Sequence, residues 1–286
     1  MTQAIQLSNG LSMPSMNFGV YQLSDLVQCE EVVTEAIRLG WRGIDTATSY
    51  LNERAVGRAI AKSGVDRSEL FITTKLFVYD ASEKGAERAI ERSLDLLGVD
   101  SIDLYLIHQP FGDIYGAWRT IERYYERGIL KAIGVSNFAP DQLTDFALHQ
   151  RIRPMVNQIE INPFCQQKDA LPVNQALGVV PEAWAPFAEG RNHLFTNPTL
   201  QQIAEKHHAS VAQVILAWLR MENIVTVSKS AKPERIAENL ASAALTLDSS
   251  EIEAIKALDT ETSQFFSHRD PKIVEWLCSR PMPKEF

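Results

Sequence analysis

The chain is short of the features that mark several protein classes. Its 286 residues hold three cysteines, Cys29, Cys165 and Cys278, odd in number and far apart. That spacing gives no disulfide framework and no zinc-ligand cluster, and it reads as reduced thiols of a cytoplasmic protein. No apolar run approaches the roughly 18 residues of a membrane span. Met1 to Gly10 shows no basic stretch followed by an apolar core, so no signal peptide is expected. Positive charge is in deficit: 28 Lys and Arg against 36 Asp and Glu give a formal net charge of −8. Such a balance offers no electrostatic footprint for nucleic acid or an anionic membrane. There is no Gly-x-Gly-x-x-Gly for a dinucleotide fold and no Gly-x-Ser-x-Gly nucleophile elbow. Linkers, low-complexity runs and short repeats are also missing.

What is present is ordinary for a soluble globular protein: 45% apolar and 22% charged residues. The length fits one α/β barrel domain over 1–286. Asn9-Gly10 inside Ile5–Pro14 predicts an opening hairpin. Strand patterns then fall at Met16–Val20, Trp41–Ile44, Leu70–Thr74, Ile102–Ile107, Ala132–Val135, Met155–Ile159, Val179–Trp184 and Ile224–Val227. One-sided helical patterns lie between them. Ser24 is expected to cap the first, with Cys29, Val32, Val33, Ala36 and Ile37 on its buried face and Gly40 as its stop. Others are expected to open at Asn52, to follow Ala86, Ile90, Leu94 and Leu97, to follow Ile114 to Tyr125, and to cover Asp141–His149, Asp169–Ala176, Leu200–His207, Ala212–Met221 and Pro233–Leu240. About eight strands, each followed by a helix, imply a parallel sheet closed as a (β/α)8 TIM barrel.

Active groups of such barrels gather at the C-terminal ends of the strands. Here the second strand runs into Asp45 and a loop bearing Tyr50, the third into Lys75 and the fourth into His108. An ammonium beside a phenol lowers its pKa, and a carboxylate beside the ammonium keeps it charged. A histidine opposite can orient a carbonyl oxygen. Together they suit protonation of that oxygen while its carbon is attacked. Taken singly each residue has a plainer reading: Asp45 a carboxylate bound to backbone amides, Tyr50 and His108 packing residues, Lys75 a solvated loop lysine. Their placement on consecutive strand ends is what favours chemistry.

The stretch Gly43 to Tyr50, the strand ending in Lys75, Asp103 to His108, Gly134-Val135-Ser136-Asn137-Phe138 and the segment from Ser228 to Asn239 together resemble the aldo-keto reductases. The likeness runs from the hairpin to about Leu240, and is nearest the short bacterial branch that includes diketogluconate reductases. It implies NADPH-dependent reduction of aldehydes or ketones, sugar-derived or 2-oxo carbonyls among them, on a small-molecule substrate, by a monomer. Tyr50 would donate the proton, Lys75 held by Asp45 would lower its pKa, and His108 would orient the substrate. Ser136, Asn137 and Gln158 match positions for the nicotinamide carboxamide, and Trp184 the aromatic on its ring. Ala185, Pro186 and Phe187 match the backbone under the pyrophosphate. Lys229, Ser230 and Arg235 match the 2′-phosphate pocket, with Glu238 and Asn239 near the adenine. Local chemistry supports that pocket, since Ser230 precedes a helix N-terminus and Lys229, Lys232 and Arg235 bring three positive charges.

By position Tyr21, Phe77, Gln109 and Phe111 are the expected substrate contacts. Phe77 stands where the family often has tryptophan, and Gln109 where it has a large aromatic. Phe265, Phe266, His268 and Trp276 fit either the substrate mouth or plain packing. Two other classes stay open on the residues alone. A nucleotide-binding regulatory subunit with little turnover would have no use for the intact quartet. A metal-dependent hydrolase lacks support, because His193, His207 and His208 share no ligand spacing with His108.

Overall fold

Parallel strands buried on both faces build either an open doubly wound sheet or a closed barrel, and this chain takes the closed form. In the computed structural model, which describes residues 4–283, β1 (Ala4–Gln6) and β2 (Ser12–Pro14) form the antiparallel hairpin, with Ile5 opposite Met13. The ends of the 1–286 domain span expected from sequence lie outside the described residues. Eight parallel strands follow: β3 (Met16–Gly19), β4 (Gly43–Asp45), β5 (Phe71–Leu76), β6 (Leu104–Ile107), β7 (Ile133–Ser136), β8 (Val156–Glu160), β9 (Val180–Trp184) and β10 (Val225–Ser228). Each pairs with the next and β10 returns to β3, closing the barrel.

The helices form the outer ring: α1 (Leu26–Leu39), α2 (Glu53–Ser63), α3 (Glu83–Leu97), α4 (Ile114–Glu126), α5 (Pro140–His149), α6 (Ala170–Leu177), α7 (Pro198–Lys206), α8 (Val211–Met221) and α9 (Pro233–Ala241). The face expected for α1 is the buried one, and Gly40, at φ 109, ends the helix by donating to the Ala36 and Ile37 carbonyls. Its cap, however, is Asp25 and not Ser24, because the Asp25 carboxylate accepts from the Val27 and Gln28 amides. Asn52 does precede α2 but spends its side chain elsewhere, as described below. Both helices expected between the strands ending at Trp184 and starting at Ile224 are present, α7 and α8, so this one connection holds two helices. Two further helices, α10 (Ser249–Lys256) and α11 (Pro271–Cys278), were not anticipated.

Two boundaries matter for the site. Trp41 lies before β4, buried with its indole N–H on the Ile236 carbonyl at 3.2 Å, while β4 reaches Asp45. Likewise β5 starts at Phe71 and continues through Lys75 to Leu76. Both charged residues are therefore strand residues inside the barrel, where bulky branched side chains are usual. The C-terminal tail is tied across the mouth by Glu160, the last residue of β8. Its carboxylate accepts from Ser263 Oγ at 2.5 Å and from the Gln264 amide at 2.8 Å. Among the described residues no helix is long and apolar enough to cross a membrane, and no three His, Cys, Asp or Glu residues cluster as metal ligands.

Candidate active site

A cavity of about 1140 Å³ opens where the strand ends, the tail and the loop after β9 meet. At its floor Asp45 Oδ1 contacts Lys75 Nζ at 2.5 Å, and Nζ also donates to the Thr46 carbonyl at 2.9 Å. Lys75 is wholly buried. Its ammonium lies 5.2 Å from the centre of the Tyr50 ring. Tyr50 rides on a short 3-10 turn, Thr48–Tyr50. Thr48 Oγ1 fastens that turn to the Lys75 carbonyl at 3.0 Å. Behind it Asn52 accepts from Thr46 Oγ1 at 2.8 Å and donates to the Val20 carbonyl at 2.9 Å. These bonds fix the loop that carries the phenol. His108 follows β6, with its ring 5.7 Å from that of Tyr50 and 5.6 Å from that of Phe77.

The electrostatics divide the quartet. Burial lowers the Lys75 pKa, yet Asp45, by charge and by hydrogen bond, outweighs it together with Tyr50 and Glu182 and leaves the ammonium above its ordinary value. Burial pushes the Tyr50 phenol up to about 12, and Lys75 pulls it down by less. Sequence reasoning expected the lysine to win; in the folded chain desolvation is the larger effect. His108 falls well below the usual histidine range, first through burial and then through the Lys75 charge. It is thus a neutral imidazole at physiological pH.

A polar wall continues over β7 to β9. Ser136 Oγ donates to the Gln158 carbonyl at 2.7 Å. Asn137, in the left-handed region at φ 64, donates to the His108 carbonyl and accepts from Trp184 Nε1 at 2.8 Å. The Trp184 ring lies 5.3 Å from that of Phe265. Gln158 Nε2 donates both to Asp45 Oδ2 and to Glu182 Oε2, each at 2.9 Å. Toward the far end the lining passes Ala185, Pro186 and Phe187 to Lys229, Ser230, Arg235, Glu238 and Asn239. Ser230 accepts from the Lys232 amide at 3.1 Å just before α9. Neither Lys229, Lys232 nor Arg235 forms an ion pair among the described residues.

Of the expected substrate contacts, Tyr21, Phe77 and Gln109 line the cavity, as do Phe265, Phe266, His268 and Trp276; Phe111 does not. Asn137 and Lys75 also lie behind the lining rather than in it. Several lining residues escaped sequence reasoning, among them Ser49, Glu189, Arg191 and Arg280. Arg280 rests on Phe77, with its guanidinium carbon 5.3 Å from the ring centre. Glu182 escaped too, although its own signal was a charged residue inside a strand read as buried. Its carboxyl is pushed up to about 7 by burial and by Asp45, against hydrogen bonds from Gln158 and Asn17 and the Lys75 charge.

Comparison with known proteins agrees with this arrangement. The model of the aldo/keto reductase family matches residues 15–260. The chain is 42% identical over 270 residues to a morphine 6-dehydrogenase of Pseudomonas putida, covering 90% of this chain and 91% of the relative. It is also 42% identical over 258 residues to a glyoxal reductase of Bacillus subtilis, covering 90% and 93%. Among solved structures, an aldo-keto reductase of Bombyx mori in complex with NADP superposes with a TM-score of 0.87 at 32% identity, over 93% of this chain and 95% of that one.

Proposed function

Because this chain belongs to the aldo/keto reductase family, we propose that it is an NADPH-dependent oxidoreductase that reduces an aldehyde or ketone to the alcohol. The observation that carries the reading is the buried Asp45–Lys75 pair set under Tyr50 and His108 at the floor of one continuous cavity. The far end of that cavity fits the cofactor's phosphate, since Lys229 and Arg235 line it, Lys232 stands at the cap of α9, and none of the three forms an ion pair among the described residues. Bound NADPH would supply the hydride.

The chain's own residues do the rest. Tyr50, protonated at neutral pH, gives its proton to the carbonyl oxygen as negative charge develops there. Lys75 stabilises the phenolate left behind, and Asp45 keeps Lys75 charged despite its burial. His108, neutral, donates a hydrogen bond that orients the carbonyl oxygen without competing as an acid. Ser136, Asn137 and Gln158 hold the carboxamide, Trp184 covers the nicotinamide ring, and Ala185 to Phe187 line the pyrophosphate path. Lys229, Ser230 and Arg235 take the 2′-phosphate, with Glu238 and Asn239 at the adenine. Tyr21, Phe77 and Gln109 border the substrate, whereas Phe111 stands outside the cavity lining. The same reading makes the chain one barrel domain acting as a monomer in the cytoplasm.

The test mixes the purified protein with NADPH and methylglyoxal, and then with a panel of sugars, keto acids and aromatic aldehydes. Loss of absorbance at 340 nm that needs both protein and carbonyl is the expected result. Tight NADPH binding with no turnover across the panel would contradict it.

A further inference from the structure

One carboxylate inside the barrel takes no proton or hydride in the reaction above. Glu182 is fully buried in the middle of β9. Among the described residues it forms no ion pair: Asn17 Nδ2 donates to Oε1 at 2.7 Å, and Gln158 Nε2 donates to Oε2 at 2.9 Å. Lys75 on β5 reaches Asp45 on β4 instead. An acid held out of water by amides alone is costly to bury.

Its geometry bears on Gln158. Gln158 and Glu182 are register partners on β8 and β9, so their side chains stand side by side. An amide nitrogen has two hydrogens, and here one goes to Glu182 and the other to Asp45. Turned over, the amide would set its oxygen against the Asp45 carboxylate, which only accepts. Gln158 lines the cavity, and among the described residues nothing donates to its Oε1. The oxygen is therefore the atom left for a ligand.

The other side of Glu182 is supported in the same way. Asn17, on β3, is the register partner of Gly43. A Cβ at position 43 would come within 1.7 Å of Asn17 Oδ1. The glycine leaves the room in which Asn17 can hold Glu182.

We infer that Glu182 is a positioning residue: with Asp45 it locks the Gln158 amide so that the site offers a lone acceptor, selecting a nicotinamide whose carboxamide brings an N–H donor. This rests on Gln158 being a cofactor contact. The selectivity belongs to binding and is separate from the proton donor.

Equilibrium binding tests it. Quenching of protein fluorescence is followed on titration with NADPH and with its 3-acetylpyridine analogue, which carries a methyl ketone in place of the carboxamide and has no N–H to give. The wild-type protein is expected to bind NADPH roughly tenfold more tightly than the analogue. Glu182→Leu leaves Gln158 with one anchor. It should bring the ratio to within about threefold of unity by weakening NADPH alone. Glu182→Gln restores an acceptor and should keep the wild-type ratio. A purely structural role for Glu182 would weaken both ligands alike and leave the ratio unchanged, which would overturn the inference, as would equal binding of both ligands by the wild type. If the leucine variant does not fold, Asn17→Ala loosens Glu182 from the other side and should at least halve the ratio; an unchanged ratio again overturns the inference. Failure of the wild type to bind either dinucleotide would instead overturn the cofactor reading beneath it.

Discussion

Asp45 and Lys75 meet at 2.5 Å with both side chains buried, and among the described residues the lysine forms no other ion pair. A pair so placed is asymmetric in its energetics. Removing one partner strands the other charge in the interior, whereas removing both strands none. Lys75→Met should therefore cost about 3–5 kcal/mol in urea unfolding. The double variant Asp45→Asn with Lys75→Met should recover part of that loss. Both should be inactive as reductases, because recovered folding does not restore the charge beside Tyr50. Additive destabilisation in the double variant would contradict the account.

That pair also shows how far the sequence could be read. Asp45, Tyr50, Lys75 and His108 stood out because polar groups at the ends of apolar strands need a reason, and the barrel order brought them together. Gln158 and Trp184 were legible through the family likeness. Asn52 and Glu182 were not. Asn52 looked like an ordinary helix start, and only the fold shows its amide fastening the loop that carries Tyr50. Glu182 lay in a strand pattern, where its partners Asn17 and Gln158 are 165 and 24 residues away. The net rise of the Tyr50 pKa was equally hidden, since residue types reveal a neighbouring charge but not the depth of burial. Helices α10 and α11 carried usable signals, an Asp248–Glu251 capping box and Pro271 after Asp270, which the search for barrel units passed over.

The state of His108 can be observed directly. Burial and the Lys75 charge hold it well below the usual range. Nitrogen-detected NMR, with His108→Asn used for assignment, should find the ring neutral at about pH 6, where an unperturbed histidine is largely protonated. A ring charged at that pH would remove it as a neutral hydrogen-bond donor.

Glu182 should leave a mark on stability. Its folded-state value is near 7, while the ordinary glutamate value is 4.5. Between those points the folded chain holds a proton that the unfolded chain has released. The contribution is thus complete at low pH and is lost as pH rises through about 7. Glu53, Asp103 and Glu160 are raised as well and add slope in the same direction. Comparison with Glu182→Gln isolates the one group: relative to that variant, the wild type should lose on the order of a few kcal/mol between about pH 5 and 8. Parallel stability curves would mean that Glu182 does not titrate in this window.

The unpaired cations at the cavity's far end predict a cofactor preference. Lys229→Gln, Lys232→Gln and Arg235→Gln should each weaken NADPH binding by roughly tenfold, as expected for a charge-assisted hydrogen bond, and leave NADH within about twofold. The effect should shrink at high salt. Titration of each variant with both dinucleotides decides it. Equal losses for NADPH and NADH would move the 2′-phosphate elsewhere.

The central claim is that Tyr50 is the proton donor, and Tyr50→Phe addresses it most directly because only a hydroxyl is removed. Measured with NADPH and an aldehyde that the wild type reduces, the variant should lose about 10²–10⁴ in kcat while its NADPH dissociation constant changes by less than about threefold. Turnover at the wild-type rate, with cofactor binding intact, would contradict the account.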